Sequence, residues 1–224
     1  MAKLAVVLMS GGMDSAFAAA SAKNDGFDIA ALHFNYGQNT QSKELQAFNS
    51  LCDHFGVKKE LSVDIGYFKQ IGGSSLTDDK MTVRDGDLEN DSVPDTYVPF
   101  RNANMLAIAA SWAEVIGAEA IYIGAMEEDS SGYPDTRKIF FDNFQDAVNT
   151  GTKPETDIRI YTPAINYKKT DIVREGSRLG VPFEKTWSCY RDSGKACGKC
   201  DSCLYRLRGF EQAGVEDPLE YENQ

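Results

Sequence analysis

Leu4-Ala-Val-Val-Leu-Met9 is an apolar run with no polar alternation, followed at once by Ser10-Gly11-Gly12-Met13-Asp14-Ser15. A strand without alternation has no solvent face and must be covered on both sides. That requirement points to a parallel sheet between layers of helices, and the Ala- and Ser-rich stretch Asp14 to Lys23 reads as the first helix. Further strands are predicted at Asp28 to Phe34, Lys58 to Val63, Ala120 to Ile123 and Asp157 to Tyr161. Between them, Ser42 to Phe55, Arg101 to Ile116, Lys138 to Asn149 and Thr170 to Leu179 read as helices, the last closed by Gly180 and barred from continuing by Pro182. The expected fold is α/β: a doubly wound, mostly parallel, five-stranded sheet.

The loop after the first strand carries the clearest chemistry. Its two glycines let the backbone turn sharply and approach a ligand. Their N–H groups, with the free N–H groups of the helix's first turn, would face an anion, and Ser10 and Ser15 add hydroxyl donors. The alternative is an ordinary strand–turn–helix connection capped by Asp14 or Ser15. The loop lacks the Gly-Lys-Ser/Thr ending of a P-loop NTPase and the third glycine of a dinucleotide fingerprint. It resembles the PP-loop of the ATP pyrophosphatases, Ser-Gly-Gly-x-Asp-Ser. That resemblance implies cleavage of ATP between its α and β phosphates and adenylation of a substrate oxygen. In a doubly wound sheet ligands lie outside the carboxyl ends of the strands. The glycine loop, His33 to Gly37, and Gly124 to Asp135 all fall at such ends.

Length and charge narrow the partners. A chain of 224 residues, 42% apolar and 25% charged, fits one sizeable globular domain. It has no apolar stretch of membrane-spanning length and no signal-peptide layout at its N-terminus, so a cytoplasmic protein without membrane contact is expected. A net charge of −11 argues against stable binding to nucleic acid. That weighs against a tRNA-modifying PP-loop enzyme; a non-catalytic nucleotide-binding module stays open. Arg191, Lys195, Lys199, Arg206 and Arg208 form either an anion-binding patch or solvated surface. Asp64 to Phe100 is long and polar, with seven acidic residues between Thr77 and Asp95. It reads as a solvated loop or as a lid.

Cys189, Cys197, Cys200 and Cys203 are spaced C-x7-C-x2-C-x2-C. Four thiolates at that spacing suit one tetrahedral zinc ion in a closed structural site. An iron–sulfur cluster and redox thiols remain alternatives. Cys52 reads as a buried free thiol, and His33 and His54 as structural.

Two more segments stand out. Val98-Pro99-Phe100-Arg101-Asn102 places a guanidinium and an amide at a helix start, where Arg101 would hold a phosphate or carboxylate. Gly124-Ala-Met-Glu127-Glu-Asp129-Ser-Ser131-Gly132-Tyr133-Pro134-Asp135 combines glycine turns, carboxylates and a phenol, a mixture suited to reading a polar heterocycle. As alternatives, the first is a capping turn and the second a surface loop. With the PP-loop and the four cysteines, these strings resemble the 7-cyano-7-deazaguanine synthase family of the queuosine pathway, from Leu4 to Pro218. Phe100 departs from the glycine often found there, and Thr136 from the usual cysteine.

The resemblance implies a Rossmann-like sheet of the adenine nucleotide α-hydrolase type over residues 1–185. A zinc-binding segment over 186–224, with Cys189, Cys197, Cys200 and Cys203 as ligands, would pack on it. It implies a ligase that uses ATP and ammonia to convert 7-carboxy-7-deazaguanine to 7-cyano-7-deazaguanine through adenylated intermediates, and a homodimer. Ser10, Asp14 and Arg101 would be catalytic. Met9, Ser10, Gly11, Gly12, Met13, Asp14 and Ser15 would hold the nucleotide phosphates, with magnesium at Asp14, and Phe34 and Tyr36 the adenine. Arg101, Asn102, Glu127, Asp129, Tyr133 and Asp135 would recognise the substrate.

Overall fold

The first apolar run is the central strand of the sheet. In the computed structural model, which describes residues 3–78, 80–88, 92–127, 132–191 and 194–222, it is β1 (Lys3–Leu8), and Ala5 to Leu8 are buried. The chain continues through α1 (Met13–Asn24), β2 (Phe27–Asn35), α2 (Gln41–Phe55), β3 (Lys59–Asp64), a single turn α3 (Phe68–Ile71), α4 (Arg101–Ile116) and β4 (Ala120–Ile123). It ends with α5 (Lys138–Gly151), β5 (Arg159–Tyr161), α6 (Lys169–Arg178) and α7 (Asp201–Ala213). The strand order is β3-β2-β1-β4-β5, and every neighbouring pair is parallel. From β1 the chain winds outward to β3, then returns to the other side of β1 for β4 and β5. The winding therefore reverses between β1 and β4, where the loops leaving the two strands part and open a crevice.

The two-residue period of a strand sends alternate side chains to opposite layers. Val6, Leu8, Leu32 and Ile121 pack with Leu106, Ala109 and Ala113 of α4 and with Phe141 and Val148 of α5. Ala5, Val7 and Ala31 pack on the other side with α1, with Phe48 and Leu51 of α2, with Ile172 of α6 and with Phe210 of α7. Fully burying a side chain such as Leu51, Leu106 or Ile172 contributes about 1.5–3 kcal/mol. Helix α1 is buried almost all round, because Ala16 to Ala22 let it lie close to the sheet; the one polar group there, Ser21 Oγ, donates to the Phe17 carbonyl at 2.9 Å.

Predicted and observed elements agree within two residues, and the spans of α4 and β4 coincide with expectation. Two helices were not anticipated, α3 and α7. The second starts directly after Cys200, so Cys203 lies on its first turn, and Gly209 lets it approach α6, since a Cβ there would sit 2.7 Å from Lys169 Cβ.

The long acidic connection is tied down at several points. Leu76, Val83 and Val98 join the core, and Ser75 N donates to the Asp95 carbonyl at 2.8 Å. Gly86 N donates to the Lys199 carbonyl at 2.8 Å, and Arg191 donates to the Val83 carbonyl at 2.9 Å and to Asp85 at 2.7 Å. These bonds strap the connection onto the cysteine-bearing segment.

Candidate active site and metal centre

β1 ends where Met9 N donates to the Leu32 carbonyl at 2.8 Å, and the glycine loop leaves from there into the crevice. Gly11 takes φ +92°, a conformation L side chains rarely adopt, and it lies against α2: a Cβ there would be 2.7 Å from the Glu44 carbonyl oxygen and 2.9 Å from Ala47 Cβ. Ser15 Oγ donates to the Gly12 carbonyl at 2.9 Å and stands 3.3 Å from Ser10 Oγ. No side chain caps the start of α1, so its first-turn N–H groups are available to an anion.

The loop borders a cavity of about 260 Å³. Of the residues proposed from sequence, Met9, Ser10, Gly12, Met13, Asp14, Ser15, Phe34, Tyr36, Arg101, Asn102 and Tyr133 line it. Gly11 packs behind it. Asp14 is paired with Lys169, whose Nζ lies 2.7 and 2.6 Å from the two carboxylate oxygens. Lys169 escaped the sequence reading, although a lysine opening a helix opposes the macrodipole and was a usable signal.

Across the cavity, the Arg101 guanidinium lies 4.8 Å from the Tyr36 ring centre, and its buried Nε has no hydrogen-bond partner among the described residues. Burial works against its charge, but Tyr36, Tyr133, Tyr190 and Asp135 outweigh that and raise its pKa, so it stays a cation. Burial raises the Tyr36 phenol as well. Phe100, just before Arg101, sits at φ 56° and ψ 28°, which accounts physically for the preference for glycine there. Its ring is exposed and meets Phe140 edge-on at 6.1 Å.

Asn102 and Asp135 face each other. Asn102 N donates to Asp135 Oδ2 at 2.9 Å, and Asn102 Nδ2 donates to the Asp135 carbonyl at 3.0 Å. Burial pushes the Asp135 carboxyl up. These two bonds, both donated by Asn102, fasten the Tyr133–Thr136 turn to the start of α4, while Asp135 itself stays off the cavity wall. Tyr133 donates to Thr96 Oγ1 at 2.9 Å. Glu127 accepts from Lys138 N at 2.8 Å at the head of α5, also off the wall. Asp129 lies outside the described residues. Thr136 lines the cavity, its hydroxyl donating to the Tyr133 carbonyl at 2.8 Å.

The wall also contains residues not proposed from sequence. Glu44 accepts from Thr40 Oγ1 at 2.6 Å and from Gln38 Nε2 at 3.0 Å, and burial raises its pKa. Trp187, Ser188 and Tyr190, together with Cys189, which was proposed only as a metal ligand, contribute a stretch of wall that runs directly into the cysteine cluster.

All four C-terminal cysteines are buried, and their sulfurs lie within 4.8 Å of one another. Thiolates about 2.3 Å from one tetrahedral ion would stand about 3.8 Å apart, a span this cluster matches. Backbone N–H groups already aim at the sulfurs: Arg191 and Cys197 at Cys189 Sγ (3.3 and 3.4 Å), and Lys199 and Cys200 at Cys197 Sγ (both 3.4 Å). Such bonds stabilise thiolate charge, so the donor set fits a single metal ion. The neighbouring cations are largely engaged within the fold. Arg191 pairs with Asp85, Lys195 with Glu220 at 3.0 Å, and the fully buried Arg206 with Asp217 at 2.9 Å. Cys52 is buried, its thiol pushed up to about 12 chiefly by burial, then by Glu60 and Asp53. His33 Nδ1 bonds the Met9 carbonyl at 3.0 Å, and His54 Nε2 the Gly180 carbonyl at 3.2 Å.

Comparisons with known proteins bear on this site. Among solved structures, a 4-thiouridine synthetase in complex with RNA and bound ATP aligns with TM-score 0.55 at 20% identity, covering 94% of this chain and 50% of that one. The NMN synthetase of Francisella tularensis aligns with TM-score 0.50 at 18% identity over 96% of this chain and 79% of that one. These show a shared fold. Much nearer are curated relatives called 7-cyano-7-deazaguanine synthase. The protein of Chlorobium phaeobacteroides (strain BS1) and that of Chlorobaculum parvum are each 56% identical over 218 residues, 97% of this chain and 96% of theirs. The family described as "Queuosine biosynthesis protein QueC" matches residues 4–214. The chain therefore belongs to the QueC family of queuosine biosynthesis proteins.

Proposed function

We propose that the chain is a carbon–nitrogen ligase that converts 7-carboxy-7-deazaguanine and ammonia to 7-cyano-7-deazaguanine at the expense of ATP. What carries the reading is that Ser10, Gly12 and Asp14 share one cavity with Arg101 and Tyr133. A phosphate cradle and a fixed cation for a carboxylate thereby face the same space. Activation is needed because a carboxylate is a poor electrophile and hydroxide a poor leaving group. Adenylation of the acid would let ammonia displace AMP to give the amide. A second adenylation, on the amide oxygen, followed by loss of AMP would leave the nitrile.

In this scheme the glycine loop and Ser10 hold the phosphates, Lys169 adds positive charge, and Phe34 and Tyr36 meet the adenine. Arg101 orients the acid by a charge-assisted contact from its Nε, which has no partner among the described residues. Tyr133 borders the heterocycle, while Asn102, Asp135 and Glu127 act as positioning residues for that wall. Magnesium, when bound, would neutralise phosphate charge; Asp14, now shared with Lys169, would hold it. Cys189, Cys197, Cys200 and Cys203 would hold zinc in a structural site of the segment 186–224. No described helix is long and apolar enough to cross a membrane. A cytoplasmic homodimer is part of the proposal, checked by sedimentation and fractionation. The decisive experiment mixes purified protein with the deazaguanine acid, ammonia and ATP and follows products by mass spectrometry. Amide and then nitrile, with AMP and pyrophosphate, is the expected result; metal-replete protein yielding neither would overturn it.

A further inference from the structure

The stretch Trp187–Tyr190 touches three regions at once. At one end, Trp187 N donates to the Gly11 carbonyl at 2.9 Å, and the Trp187 carbonyl oxygen would stand 3.6 Å from a Cβ on Gly12. The loop that cradles phosphate is thus held from behind by this backbone. At the other end, the Tyr190 phenol lies beside Tyr133 and Arg101. Between them sits Cys189, whose sulfur belongs to the four-cysteine cluster and whose residue also lines the cavity.

The connection is short and stiff. Trp187 Nε1 donates to the Cys189 carbonyl at 2.9 Å, closing a tight loop from indole to cysteine. Lys43 of α2 lies 5.1 Å from the Trp187 ring centre and donates to the Gly194 carbonyl at 3.0 Å, bridging the stretch to the turn before Cys197. Ser188 is fixed from below by Arg206 at 3.2 Å. One ligand of the cluster therefore has neighbours on both halves of the cavity.

We infer that Trp187–Tyr190 is a positioning element through which a metal ion at the four cysteines and a nucleotide at the glycine loop strengthen each other's binding. Without an ion nothing ties the four sulfurs to one point, and Cys189 would no longer be fixed at its place in the wall. The Gly11 carbonyl would then lose a rigid partner, and Tyr133 and Arg101 a rigid neighbour. Coupling between two sites is reciprocal, so nucleotide must tighten metal by the factor with which metal tightens nucleotide.

The inference rests on the nucleotide and metal sites proposed above, and the experiment separates the two levels. Calorimetry with an ATP analogue carrying a methylene bridge between the α and β phosphates is run on zinc-loaded and chelated protein, folding being checked by circular dichroism. Zinc affinity is then measured by competition with a chromophoric chelator, with and without saturating analogue. Chelation is expected to weaken the analogue about tenfold, and analogue to tighten zinc by the same factor. Trp187→Ala, which removes the indole bridge and the Lys43 contact but no thiolate, should still bind both ligands with the coupling brought close to one. Independent binding of the two ligands to the wild-type protein, or undiminished coupling in Trp187→Ala, overturns the inference alone. Failure to bind analogue or zinc at all overturns the site assignments with it. Where chelated protein unfolds, the Trp187→Ala comparison decides: coupling that runs only through global unfolding survives that substitution, and its survival overturns the inference.

Discussion

Gly11→Ala tests whether the glycine loop is held by close packing or merely by an unusual dihedral. Two costs attach to a methyl group there. The backbone sits at φ +92°, and holding a side-chain-bearing residue in such a region costs about 1–3 kcal/mol. The new Cβ would also stand 2.7 Å from the Glu44 carbonyl oxygen and 2.9 Å from Ala47 Cβ, both on α2. Neither is the free end of a flexible chain, so loop or helix must shift, at an overpacking cost of about 1–3 kcal/mol. Gly26→Ala supplies the control: it has φ +86° and nothing within 4 Å of its would-be Cβ. The difference between the variants isolates the packing cost. Urea denaturation measures it, and with a slope of about 2 kcal/mol/M the extra loss lowers the midpoint by about 1 M. The displaced loop should also bind the ATP analogue more weakly, which Gly26→Ala should not. Equal midpoints for the two variants, or wild-type nucleotide affinity in Gly11→Ala, would refute the reasoning.

Phe100 inverts a familiar ranking: with φ 56° and an exposed ring, Phe100→Gly should be more stable than Phe100→Ala by about 1 kcal/mol, read as a higher thermal midpoint. The opposite order would show that the left-handed backbone is not strained. His33 should make stability depend on pH. Burial, partly offset by the Met9 carbonyl, lowers its pKa from 6.5, so below that value the unfolded chain takes a proton the folded chain refuses. Stability is complete above about pH 6.5 and falls as pH drops, and His33→Gln should flatten that fall in urea midpoints taken at about pH 7.5 and 5.5. Identical pH dependence in the variant would remove His33 from the account.

Legibility followed the range of the forces involved. Strand β1, the glycine loop and the helix from Arg101 to Ile116 are written in local composition, because burial on both faces and missing Cβ atoms leave marks in adjacent residues. Helix α7 was legible too, since Cys203, Leu207 and Phe210 keep a helical period, but the cysteine spacing drew attention to a metal loop instead. Lys169 left only a weak mark, a lysine opening a helix, and its partner Asp14 lies 155 residues away, while Glu44 acquires its meaning from burial. Asn102 and Asp135 show the converse. Their polar groups suggested ligand contacts, yet most of their bonding is with each other, a pairing across 33 residues that no local pattern announces.

Arg206 carries a consequence for the order in which the chain is built. Its side chain is wholly buried, and its charge is balanced by Asp217, eleven residues further on. Breaking a buried pair by removing one member typically costs about 3–5 kcal/mol. Until residue 217 has been synthesised, the guanidinium that anchors Thr186 and Ser188 has no counter-charge. All four cysteines and the whole sheet are already made by then. A chain ending at residue 216 should therefore keep the parallel sheet but lose proteolytic protection around residues 183–191, which limited digestion would reveal. On that expectation the parallel sheet forms first and the back wall of its cavity last, its completion waiting on Asp217, a carboxylate that does not line the cavity.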